Sequence, residues 1–178
     1  RARWVFPNAG LVTFGHIRYL DLVDDGVVTE LFDGRAVKFC VVRNPYSRAV
    51  SLFNYLRRFG PVPVVPPSMG FDEFAELLGE GRFEPVGRYN TLGLSQCNPQ
   101  CRWIEADDGR VVADVVGRFE DLDGFMKVLR SEIGLVGELP HLNRSTFDDH
   151  RGYYRSASTR SNIERCYRED LDRFSYDF

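Results

Sequence analysis

The chain has 178 residues, 43% of them hydrophobic and 28% charged, with a net charge of −3. That is the make-up of one ordinary globular domain spanning 1–178, and an acidic balance argues against a nucleic-acid binder, which carries a basic surplus. No run approaches the ~20 apolar residues that span a bilayer, so no membrane contact is expected from this segment.

Residues 4–14 are mixed and give no clear pattern. "GHIRYLDL" (15–22) opens a short helix, and "DDG" at 24–26 marks a turn. Residues 37–42 ("VKFCVV") read as a short buried strand, rich in β-branched residues. Asn44 then suits a helix N-cap and Pro45 a first helical position. Over 46–59, Ala49, Val50, Phe53 and Leu56 share one helical face, with Arg48, Ser51 and Tyr55 in a stripe beside it. The proline-rich 60–70 is expected to be a surface loop, and "FDEFAELLGEG" (71–81) a short helix with a glycine stop. Residues 82–110 look irregular. A second strand is expected over 111–120, then a helix ended by Gly134. A polar loop with aromatics (139–154) precedes a final helix, capped by Ser158 or Thr159, with Ile163, Tyr167, Leu171 and Phe174 as its apolar stripe. Strands alternating with helices predict an α/β fold: a small parallel sheet flanked by helices.

Only Lys38 and Lys127 are lysines, and every other basic residue is arginine, the side chain suited to planar, bidentate recognition of phosphate, sulfate and carboxylate. Cys40 and Cys166 fall in apolar patterns and read as core. Cys97 and Cys101 either form a local disulfide or stay free thiols. No second Cys/His pair stands at zinc-ligand spacing, so no metal is expected. Arg43 is the residue to explain. It ends a buried strand just before a helix, and in open α/β sheets ligands bind beyond the carboxyl ends of strands, near helix N-termini. Its guanidinium can fork onto a phosphate, with the Ser51 hydroxyl behind it. By itself, an arginine at a strand end is more often solvated or ion-paired.

"VVRNPYSRAVSLFNYL" (41–56) resembles the 3′-phosphate-binding segment of the carbohydrate sulfotransferases (sulfotransferase family 2), where a strand ends in Arg and a Ser follows eight residues later. "GHIRYLDL" is similar to the Gly-His segment of the uronosyl 2-O-sulfotransferases, and "NYLRRFG" to the continuation of their phosphate helix. "VVGRFEDLDGF", "LPHLNRS" and "YREDLDRFSYDF" resemble the second strand, the C-terminal loop and the terminal helix, so the likeness runs from about His16 to Phe178. It implies a P-loop-NTPase-like sulfotransferase fold and transfer of a sulfuryl group from 3′-phosphoadenosine-5′-phosphosulfate to a carbohydrate hydroxyl. It assigns the 3′-phosphate to Arg43 and Ser51, the general base to His16, and a loop closing over the nucleotide to Arg144 and Ser145. Phe14 stands where the uronosyl enzymes have a further histidine. The family's lysine-bearing loop for the 5′-phosphosulfate lies upstream of the Gly-His segment, where this chain has fifteen residues and nothing similar. The expectation is an N-terminally truncated domain.

The remaining candidates carry two readings each. Trp103, Tyr153 and Tyr154 stack on a base or sugar, or are core. Arg18, Arg57, Arg58 and Arg102 read an acidic saccharide, or are a solvated face. His141 is expected to be structural and His150 solvent-facing; Glu120 can pair with one of the arginines and is assigned no role. A kinase is disfavoured by the absence of GxxxxGK[ST]. A catalytically inactive nucleotide- or glycan-binding module of the same fold is the other reading.

Overall fold

The computed structural model describes residues 3–6, 10–13, 18–58, 64–83, 90–91, 94–106, 108–137 and 149–178. β1 (Arg3–Phe6) and β2 (Gly10–Thr13) pair antiparallel in the stretch where the sequence shows no pattern. The short helices α1 (Tyr19–Asp24) and α2 (Glu30–Asp33) follow, the second not expected from sequence. β3 (Phe39–Val42) leads into α3 (Pro45–Arg58), then α4 (Phe71–Gly79). β4 (Asn90–Thr91) and β5 (Leu94–Ser95) make a two-residue ladder before α5 (Cys101–Ile104). β6 (Val115–Arg118) lies parallel to β3, with Val42 opposite Arg118. α6 (Leu122–Ile133), α7 (Ala157–Cys166) and α8 (Arg168–Phe174) complete an α/β fold with a small parallel sheet.

Local chemistry sets most of these boundaries. Asn44 caps α3, its side-chain oxygen accepting from the Tyr46 N–H at 2.9 Å, and Pro45 begins the helix. Asp121 caps α6, which ends at Gly134 in the left-handed region at φ 65°. The terminal helix differs from expectation. Ser156, not Ser158 or Thr159, accepts from the Thr159 N–H, and Tyr167 breaks the helix in two.

The core forms around α3. Ala49, Val50, Phe53 and Leu56 are buried, as are Phe74 and Leu78 of α4 and Ile163, Tyr167 and Leu171 of the terminal helices. Val65, within the expected surface loop, is fully buried in this core. The expected buried strand is largely open. Phe39 and Val41 are 47% and 41% exposed, and only Val42 is buried. Among the described residues β3 has one strand neighbour, and from α6 the Phe125 ring reaches Phe39 at 6.0 Å. Cys40 is accordingly half-buried rather than core. No described helix is long and apolar enough to cross a membrane.

Candidate functional site

β3 and β6 end at the same edge, so Arg43 and Asn44 emerge beside Phe119 and Glu120. The Arg43 guanidinium lies 4.5 Å from the Phe119 ring centre, and its Nε donates to Ser47 Oγ at 2.8 Å. Its terminal amines make no hydrogen bond or ion pair among the described residues. Ser51 stands one turn beyond Ser47, at the spacing that stacks side chains on one helical face, and its hydroxyl has no partner among the described residues. Burial pulls the Arg43 guanidinium below its ordinary pKa, with Glu120 opposing and Arg48 adding to the effect. A desolvated cation with two open amine groups gains when an anion arrives.

Glu120, which the sequence left without a role, accepts from the Asn44 N–H at 2.8 Å and the Tyr176 hydroxyl at 2.9 Å. Tyr176 also donates to the Val42 carbonyl at 3.2 Å, and Asn44 Nδ2 to the Asp177 carbonyl at 2.8 Å. The last residues of the chain therefore brace both strand ends. Arg48, from the same stripe as Ser51, turns away: its Nη2 donates to the carbonyls of Gln96 and Asn98, and it stacks on Tyr167.

Two residues at this edge carry no local signal in the sequence. Ser47 orients Arg43, and Gln100 grips the Arg43 main chain from 57 residues away. His150, expected to face solvent, is 18% exposed and packs edge-on against Tyr154 and Phe178, with its Nε2 buried. Burial holds its pKa below the ordinary imidazole value, helped by Arg151 and by the charge of Arg43, while Asp149 and Glu120 oppose. His16, Arg144, Ser145 and His141 lie outside the described residues.

The second end of α3 borders a cleft of about 470 Å³. Phe53, Phe71 and Tyr153 floor it, and Arg57 and Arg155 stand at its rim with Asp72 and Asp149. Arg57 rests on the Phe53 ring at 5.2 Å, and Arg155 makes no ion pair among the described residues. Tyr153 and Tyr154 pack against the main core, and Tyr154 donates to the Tyr46 carbonyl. Arg18 and Arg102 are held by Asp21 and Glu169, each at 2.7 Å or less. All four cysteines are free thiols, which settles Cys97 and Cys101 as unbridged. Burial raises the Cys97 and Cys166 thiols to about 11, which suppresses the reactive thiolate.

The chain is 28% identical to an uncharacterized protein of Archaeoglobus fulgidus over 131 residues, 73% of this chain and 94% of that protein. No family model and no solved structure matches it.

Proposed function

We propose that this chain is a sulfotransferase domain of the carbohydrate type, using 3′-phosphoadenosine-5′-phosphosulfate as sulfuryl donor and a carbohydrate hydroxyl as acceptor. The observation that carries the reading is the Arg43 guanidinium at the carboxyl edge of the parallel sheet, its terminal amines open among the described residues, with Ser51 one turn of α3 beyond the Ser47 that orients it. In this reading both groups take the nucleotide's 3′-phosphate, and Arg144 and Ser145 come from the loop that the resemblance places over the nucleotide. The cleft beside Phe53 is of the size that takes a sugar unit, and its aromatic floor suits a sugar's C–H face.

The reaction is an in-line displacement at sulfur. The bond from sulfur to the 5′-phosphate oxygen breaks as the acceptor oxygen bonds to sulfur, and the hydroxyl proton passes to the base. The protein's part is to position the groups and stabilise spreading charge, as in phosphoryl transfer. His16 is the base by resemblance. His16→Ala is expected to lower turnover by ~10²–10⁴-fold and to leave nucleotide affinity nearly unchanged. A variant with wild-type turnover would remove His16 from the chemistry.

Calorimetry with adenosine 3′,5′-bisphosphate tests the site. Arg43→Ala should weaken binding by ~1.5–3 kcal/mol, the worth of a charged hydrogen-bonding partner. Adenosine 5′-phosphate, which lacks the 3′-phosphate, should bind weakly and be indifferent to the substitution. Equal affinities for both nucleotides would refute the assignment. Nucleotide binding without transfer to any saccharide would favour the inactive binding module.

A further inference from the structure

The carboxamide of Gln100 is committed on both sides. Its Oε1 accepts from the Arg43 backbone N–H at 2.9 Å, and its Nε2 donates to the Arg43 carbonyl at 2.8 Å. Asp170, a carboxylate with no exposed surface, sits behind it. It accepts from Gln100 Nε2 at 3.2 Å, from the Gln100 N–H at 2.7 Å and from the Cys101 N–H at 2.9 Å. This fixes which way the amide points. Reversed, its oxygen would face two acceptors and its nitrogen a donor.

The main chain explains why such a grip is needed. β3 ends at Val42 and α3 begins at Pro45, so Arg43 lies between ladder and helix. Its N–H and C=O have neither kind of regular partner, and burying them unpaired would be unfavourable. Gln100 supplies both partners from one side chain, much as a neighbouring strand would. Fixing the Arg43 backbone fixes the direction of its side chain, which then meets Phe119 and Ser47.

We infer that Gln100, oriented by Asp170, is the positioning residue for the Arg43 guanidinium. Its consequence for ligand affinity rests on the reading of Arg43 as the 3′-phosphate holder; the positioning itself does not. A loop staple without this role would alter stability and leave the guanidinium where it is.

Nitrogen-15 NMR of the arginine side chains reads the positioning with no ligand present. The Arg43 Nε–H, bonded to Ser47, should give a slowly exchanging signal, assigned by its loss in Arg43→Lys. In Gln100→Ala this signal should shift and exchange at least about tenfold faster. The Arg18 Nε–H, bonded to Asp21, should not change. An unaltered Arg43 signal in a folded Gln100→Ala protein overturns the proposal. Should that variant fail to fold, Gln100→Met, close to glutamine in volume and without its hydrogen-bonding groups, takes its place, and the same change is expected.

Calorimetry with adenosine 3′,5′-bisphosphate adds a second arm. Gln100→Ala should weaken binding about tenfold, and should have no further effect once Arg43 is alanine, because groups acting as one unit are not additive. Fully additive losses overturn the proposal. A wild-type protein that ignores the nucleotide refutes the functional reading, while the NMR arm still decides the positioning.

Discussion

His150 sits where a charge is unfavourable. Asp149 Oδ1 lies 4.0 Å from its Nδ1, Arg151 follows it, and the charges of Arg43 and Glu120 reach it across the strand ends. Tyr154 and Phe178 enclose the ring, and burial outweighs the acids, so the folded pKa is lowered. Unfolded, the imidazole titrates near ~6.5. The unfolded state therefore binds the proton first, and stability falls as pH drops below that value towards the folded pKa. Urea unfolding at pH 7.5 and 5.5 should show a loss in the wild type that is smaller in His150→Gln. Identical losses would mean that His150 is not the titrating group. The wrong expectation for this residue has a simple cause: its sequence neighbours are polar, and Phe178, which covers it, is 28 positions away. The places of Arg43 at the strand end and of Ser51 on α3 were legible because strand, cap and helix are neighbours in the chain. Ser47 and Gln100 were not, since nothing in their own surroundings says which group each will hold.

Helix boundaries were readable at Asn44–Pro45 and at Gly134, but not at α2, capped by Thr29, or at α7, where Ser158 and Thr159 could equally have supplied the cap that Ser156 provides. The break at Tyr167 had no such signal, because Ile163, Tyr167 and Leu171 keep helical spacing through it. The openness of β3 was equally hidden: an apolar run does not say how many strands will flank it. Contact between helices leaves one clear mark, at Gly79. A Cβ there would stand 2.8 Å from the backbone oxygen of Asn162, where the last turn of α4 meets α7. Backbone cannot yield as a side chain can, so Gly79→Ala should destabilise by ~1–3 kcal/mol through overpacking. Gly134→Ala, strained by its positive φ but with open space around it, should cost about 1 kcal/mol. Urea midpoints at constant slope compare the two. A neutral Gly79→Ala would show that α4 and α7 can slide apart freely.

The described apolar interior falls into two clusters. The larger joins α3, α4, α7 and α8 with the C-terminal residues; the smaller is Phe125, Met126 and Leu129 of α6 with Val115, Ile133 and Leu135. What connects them is mostly polar: the β3–β6 ladder, Glu120 to Asn44 and Tyr176, and Arg118 Nη2 to the Phe174 carbonyl at 2.6 Å. Gly117 adds one tight apolar seat, its backbone lying against the Phe125 ring. Three buried side chains hold far less free energy than the larger cluster, at about 1.5–3 kcal/mol each. A unit of this kind opens below the global unfolding free energy. Hydrogen exchange should therefore rank α6 and β6 as less protected than α3 and α4. Phe125→Ala sharpens the test, because it removes the ring that seats α6 on the sheet. Exchange in α6 should accelerate strongly while α3 and α4 keep their protection. Equal acceleration of all three helices would mean that the clusters unfold as one. The sheet edge carrying Arg43 would then be as rigid as the core behind it. If α6 opens separately, β6 loosens with it, and so do Phe119 and Glu120 at its end. Arg43 would keep Ser47 and Gln100, which belong to the stable side, and lose only its ring contact and the carboxylate that opposes its discharge.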